Sequence, residues 1–195
     1  MKTDIVLAGV GGQGILSVAT ILGVAALKEG LNIKQAEVHG MSQRGGDVQS
    51  TLRISSSPIH SDLIPSGTAD LIVSLEPMEA LRYLPLLSPK GWIVTSSVPF
   101  INIPNYPDIE IIENELNKLE NVVSFDMEAM AKEVASPRSS NMVLLGAASH
   151  FIDLSSEKIE DAITNVFSSK GEAIVESNLK AYRCGREKAG SYIAK

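Results

Sequence analysis

Ile5-Val6-Leu7-Ala8-Gly9-Val10-Gly11-Gly12-Gln13-Gly14-Ile15-Leu16 decides the reading of this chain. Four apolar residues run into a glycine cluster, and the cluster runs into a long apolar segment. A buried strand, a tight turn and a helix start is the opening of a βαβ unit. Gly9 lets the chain leave the strand sharply, Gly11 and Gly12 allow close approach of another group, and Gly14 lets helix and strand pack tightly. The unpaired N–H groups of the helix's first turn, with its dipole, favour an anion over the turn.

The following segment, Gly14 to Leu27, is almost unbroken apolar sequence. It falls short of the ~20 residues of a membrane span, and a strand and a glycine turn precede it. It reads as a helix buried on nearly every side, closed by Gly30, in a cytoplasmic protein without membrane association. Later elements of the chain or a partner subunit must cover it.

Bulk composition narrows the class. A length of 195 residues suits one domain with a proper core, and 44% apolar with 21% charged residues is ordinary for a globular fold. The net charge of −6 and the lack of a basic run argue against a nucleic-acid binder. The single cysteine, Cys184, excludes a disulfide framework and a four-cysteine metal or iron–sulfur site within the chain. It sits in a helical pattern with no histidine beside it and reads as inert.

The second strand is Ile33–Val38, with Glu37 near its end. In a dinucleotide-binding unit an acid here would hold a ribose hydroxyl; otherwise it is an edge-of-strand carboxylate. His39-Gly40-Met41-Ser42-Gln43-Arg44-Gly45-Gly46-Asp47 follows as a polar, glycine-rich loop at a strand's carboxyl end, where open α/β sheets bind ligands. Residues 48 to 54 alternate apolar and polar, which predicts a strand with one wet face, and Ile59-His60-Ser61 is placed to pair back as a hairpin. The sheet is therefore mixed and mostly parallel.

Strands Asp70–Leu75, Trp92–Thr95 and Val122–Phe125 alternate with helical segments from Met78 and around Glu115–Leu119, with Ile109–Ile112 continuing the alternation. Pro77 takes a first-turn place, Lys90-Gly91 reads as a turn, and Pro99, Pro104 and Pro107 mark an irregular connector. After Asp126 the pattern is helical: Met127–Val134, Asn141–Ile152, a third helix capped by Ser155 or Ser156, and a fourth after Gly171. The expectation is a three-layer, Rossmann-like α/β fold with a helical C-terminal third, a single domain over 1–195.

Chemistry is scarce. His39, His60 and His150 show no metal-ligand spacing, and His150 reads as a satisfied core histidine. There is no nucleophile elbow, phosphate-loop lysine or Cys–His pair. Arg44, between Gln43 and two glycines, suits a bidentate grip on phosphate or carboxylate, or else ties its own loop or meets an acid of another subunit. His39 reads as an orienting hydrogen bonder of that loop.

Together, Gly9-x-Gly11-Gly12-Gln13-Gly14, His39-Gly40-Met41-Ser42-Gln43-Arg44-Gly45-Gly46 and Asn141-x-x-x-Leu145-Gly146-Ala147 resemble the gamma-type domain of 2-oxoacid:ferredoxin oxidoreductases. The His-Gly-Met form is similar to the small (beta) subunits of the indolepyruvate branch. Phe167-x-x-Lys170-Gly171 and Asn178-x-x-Ala181 also fit, so the likeness covers most of the chain. The resemblance implies a large partner subunit that holds thiamine diphosphate and iron–sulfur clusters. That subunit converts an aryl pyruvate, coenzyme A (CoA) and oxidised ferredoxin to aryl-acetyl-CoA, CO2 and reduced ferredoxin. This chain would hold neither the thiamine diphosphate nor the clusters, would have no catalytic residue or metal of its own, and would be inactive alone. Carried over by position, Gly11, Gly12, Gln13 and Arg44 would shape a loop face near the partner's active centre. Gly9, Gly14, Ser42, Gln43 and Gly45 complete the candidate cofactor-binding set. Two other readings stand beside it: a free-standing dinucleotide-binding dehydrogenase, and a homo-oligomeric anion-binding module.

Overall fold

The computed structural model describes residues 1–39 and 45–193, with the backbone alone at His39. Six strands, β1 (Lys2–Val10), β2 (Asn32–His39), β3 (Asp47–Ser55), β4 (Ala69–Ser74), β5 (Leu87–Ser96) and β6 (Val122–Phe125), form one sheet in the order β2-β3-β1-β4-β5-β6. β1, β4, β5 and β6 are parallel, and β3 runs antiparallel to both of its neighbours. The mixed, mostly parallel sheet expected from sequence is present. The hairpin that mixes it joins β2 to β3, whereas Ile59-His60-Ser61 forms no strand.

The helices are α1 (Ile15–Lys28), α2 (Pro77–Arg82), α3 (Ile109–Asn117), α4 (Met127–Val134), α5 (Ser140–Ala148), α6 (Ser156–Phe167) and α7 (Glu172–Ile193). One face of the sheet carries α1 and α4–α7 over Ile5, Leu7, Leu71 and Val73. The other carries a thinner layer over Val6, Ile72 and Ile93, built around Ile64 and Ala80. Coverage on both sides is why β1 and β4 read as unbroken apolar runs. The three layers are thus unequal in thickness.

Several local expectations change. Ile109–Ile112 opens α3 and is not a separate element, and Lys90-Gly91 lies inside β5. A Cβ on Gly91 would stand 2.8 Å from the Ala69 carbonyl oxygen, where the β4–β5 register shifts, so glycine there serves a close approach within the sheet. The face of β3 expected to be wet is covered by the coil 56–68. Thr51 Oγ1 donates to the Asp62 carbonyl (3.0 Å), and Arg53 Nη1 donates to those of Ser61 (3.1 Å) and Leu63 (2.9 Å). Arg53 also grips the carboxylate of buried Asp4 through two nitrogens, at 2.8 and 3.0 Å.

The apolar helices find their cover within the chain. α1 packs between the sheet and α6, and α5 is buried along its whole length against α4 and α7. Their lack of a polar stripe is a consequence of a two-deep helical layer, and no partner is needed to explain it. Gly30 closes α1 at φ 71°, with Leu31 N–H donating to the Ala26 carbonyl (3.0 Å) and Gly30 N–H to that of Leu27 (3.0 Å).

Candidate functional site

The carboxyl ends of β1 and β4 and the connector after β5 come together with Gly45 and Gly46, just ahead of and at the start of β3. The glycine turn is built from the inside. Gln13 folds back so that its Oε1 accepts from Val10 N–H (2.7 Å) and its Nε2 donates to the Leu75 carbonyl (3.4 Å), tying the end of β1 to the end of β4. A Cβ on Gly9 would lie 2.8 Å from Gln13 Oε1 and 2.9 Å from Ile15 Cγ1, so the fold-back needs glycine there. Gly14 has φ 79° and is the N-cap of α1, with no side chain to cap the first turn. Gly12, at φ 103°, is exposed and has nothing within 4 Å of where a Cβ would sit. The N–H groups of Gly12 and Gly14 bond to no described residue, whereas those of Gly11 and Gln13 are spent on Gly46 and Val10 (2.8 and 3.1 Å). The turn therefore offers open backbone donors over a helix N-terminus, a fitting cradle for a phosphate or carboxylate.

Two backbone bonds bring the second glycine loop to the first: Gly11 N–H to the Gly46 carbonyl (2.8 Å) and Gly45 N–H to the Gly11 carbonyl (3.3 Å). Ser42, Gln43 and Arg44 lie outside the described residues, as do Gly40, Met41 and the side chain of His39. The flanking Gly45 thus stands beside the turn.

The connector after β5 contributes residues that the sequence reading passed over. Asn102 Nδ2 donates to the Gly45 carbonyl (2.7 Å), and its buried Oδ1 has no partner among the described residues. Its signal in the sequence was its place after the carboxyl end of a core strand. Glu76, two residues beyond β4, is fully buried, caps α2 by accepting from Glu79 N–H (2.8 Å), and accepts a hydrogen bond from the Tyr106 hydroxyl. Burial pushes the Glu76 carboxyl above its usual range against the opposing pull of Tyr106 and Glu79 N–H, and burial with Glu76 pushes the Tyr106 phenol far up. Arg82 holds the buried Glu79 carboxylate at 2.7 and 3.1 Å. Both carboxylates are buried and bonded within the chain.

Other candidates fall away from it. Glu37 is exposed, accepts from Gln35 Nε2 (2.7 Å), and pairs with Ser50 of β3, which in turn pairs with Leu7. One whole strand separates it from β1, about 10 Å at two strand spacings, so the edge-of-strand reading fits and the ribose reading does not. His60 is exposed in the coil after β3. His150 is exposed too, its Nε2 2.8 Å from the Arg186 carbonyl oxygen, so it is satisfied without being a core residue. Burial and two nearby glutamates raise the Cys184 thiol, consistent with an unreactive cysteine. Among the described residues no cluster of His, Cys, Asp and Glu is arranged to hold a metal ion.

The sequence pattern of the pyruvate ferredoxin/flavodoxin oxidoreductase family matches residues 4–188. The chain belongs to that family. It is 36% identical over 192 residues to indolepyruvate oxidoreductase subunit IorB of Methanothermobacter thermautotrophicus, covering 95% of this chain and 96% of the relative. Among solved structures it is similar to the gamma subunit of a keto/oxoacid ferredoxin oxidoreductase from Geobacter sulfurreducens. That match has a TM-score of 0.71 and 27% identity, covering 97% of this chain and 99% of that one. It is also similar to the 2-oxoglutarate:ferredoxin oxidoreductase of Magnetococcus marinus, solved with 2-oxoglutarate, coenzyme A and succinyl-CoA bound (TM-score 0.76, 25% identity). There it covers 97% of this chain but spans 31% of the longer one. The family resemblance carried by the glycine-rich motifs therefore extends over nearly the whole chain, in sequence and in fold.

Proposed function

We propose that the chain, acting over 1–195 as one gamma-type domain, is the small subunit of an indolepyruvate (2-oxoacid):ferredoxin oxidoreductase in the cytoplasm. The near-full-length identity to an indolepyruvate oxidoreductase subunit carries this reading. Thiamine diphosphate and the iron–sulfur clusters belong to a larger partner subunit, because one cysteine cannot ligate a four-cysteine cluster. The larger subunit passes its electrons to ferredoxin. When bound, coenzyme A supplies the thiol that accepts the acyl group. This chain's part is to hold and orient it. The open N–H groups of Gly12 and Gly14 fit its phosphates, Gly9 and Gln13 keep the turn in shape, and Ser42, Gln43, Arg44 and Gly45 complete the face from the second loop. Among the described residues no helix is long and apolar enough to cross a membrane.

The test is co-expression with the neighbouring large reading frame. The pair should co-purify and reduce ferredoxin with indolepyruvate and coenzyme A, while the isolated chain should not. Ferredoxin reduction by the chain alone would overturn the proposal, as would a large subunit equally active without it.

A further inference from the structure

The connector after β5, residues 97–108, forms no helix or strand. From Val98 to Pro107 no backbone group bonds to another backbone group among the described residues, and Pro99, Pro104 and Pro107 have no N–H to offer. Val98, Phe100, Ile101 and Ile103 are exposed, so little apolar burial holds it either. A segment this poor in backbone bonds and burial keeps a single course only where side chains pin it.

The pins converge on one carboxyl. Phe100 N–H donates to Glu76, and the Tyr106 hydroxyl donates to Glu76 Oε1. Glu76 itself is fixed from several directions. Its Oε2 accepts from Glu79 N–H (2.8 Å), its N–H donates to Ser74 Oγ (3.1 Å), and its carbonyl accepts from the same hydroxyl (2.7 Å). Between the two pinned points, Asn102 Nδ2 donates to the Gly45 carbonyl (2.7 Å), and Gly45 N–H donates to that of Gly11 (3.3 Å). One line of contacts thus runs from a fully buried acid at the head of α2, through the connector, to the base of the second glycine loop and on to the glycine turn. Groups that act on a ligand keep their geometry only when a supporting layer of this kind locks them.

We propose that Glu76 and Tyr106 are positioning residues for coenzyme A, pinning the connector on both sides of Asn102 so that Gly45 stays seated on the glycine turn. They act through Asn102 and Gly45 and do not touch the ligand. The proposal rests on the reading that the glycine edge holds coenzyme A. The test uses the co-purified pair of subunits, with steady-state ferredoxin reduction measured against coenzyme A and against indolepyruvate. Tyr106→Phe removes one hydroxyl and keeps the ring. It should raise KM for coenzyme A at least fivefold, while KM for indolepyruvate and kcat at saturating coenzyme A stay within twofold. Asn102→Ala should show the same split, and the double variant should be no worse than the poorer single one, because both break the same line of contacts. A general loosening of the fold would instead lower kcat or raise both KM values together. Should Tyr106→Phe fail to co-purify with the large subunit, Asn102→Ala decides by the same split. An unchanged KM for coenzyme A, or a parallel change in both KM values, would overturn the positioning role alone. A natural pair whose rate does not respond to coenzyme A would overturn the underlying reading and this proposal with it.

Discussion

Gly146 of α5 and Gly185 of α7 meet where the two helices cross. A Cβ on Gly146 would fall 1.9 Å from the Tyr182 carbonyl oxygen, and one on Gly185 would fall 2.0 Å from that of Val143. Backbone rests on backbone there, and neither helix can yield locally because α5 is buried along its length. Gly146→Ala or Gly185→Ala is expected to cost about 3 kcal/mol, the upper end of overpacking costs, despite alanine's better helix propensity. Urea denaturation of the two variants measures it; a cost below the propensity gain would refute the crossing.

Gly14 is held from two sides, by its left-handed backbone and by Asn141, whose Nδ2 would lie 2.6 Å from an added Cβ. Gly14→Ala should destabilise by about 1–2 kcal/mol from backbone conformation alone, with the contact adding to it. In the pair Gly14→Ala with Asn141→Ala the losses should sum to more than the double variant shows, because shortening Asn141 makes room. A thermal-unfolding double-mutant cycle reads the coupling, and strict additivity would contradict it.

Arg53 binds the nearly fully buried Asp4 and, with it, the coil across β3. Arg53→Met should cost about 3 kcal/mol, since it strands a buried carboxylate with Lys2 as its remaining cation. Adding Asp4→Asn should restore part of that loss in chemical denaturation, and no restoration would show that the coil, not the charge, dominates.

Glu76 gives a pH dependence with a defined sign. Its carboxyl is raised above 4.5 in the fold, chiefly by burial, so the native state holds a proton that the unfolded chain has released. That contribution is complete below the unfolded value and is lost as pH climbs through the raised one. Glu76→Gln cannot titrate. The melting temperature of the natural chain relative to this variant should fall as pH rises from about 4 and level off above the folded value. A constant difference across that interval would contradict the assignment.

Periodicity and punctuation made much of this legible. The limits of β6 and α4, Pro77 opening α2 and Gly30 closing α1 all follow from local chemistry, which does not depend on distant partners. The glycine turn was legible for the same reason. What lay hidden was pairwise. Nothing local says that β3 inserts between β1 and β2, so Glu37 kept a ribose role in sequence that its place in the sheet removes. The alternation of 48–54 marked side-chain facing correctly but could not foresee a coil lying over Thr51 and Arg53. Asn102 and Tyr106, in an irregular connector, acquire meaning from Gly45 and Glu76, partners 57 and 30 residues away.

The insertion of β3 also sets an order of assembly. When β1, α1 and β2 have been synthesised, the two strands point the same way but cannot touch, because the slot between them belongs to a segment still to come. Until the hairpin closes, β1 stands with a bare apolar edge, the arrangement most prone to pairing with another molecule. Gly45 and Gly46, bonded to Gly11 where β3 begins, therefore matter to closing that gap as well as to the finished surface. Changes there should register first as slow maturation and inclusion-body formation in cells.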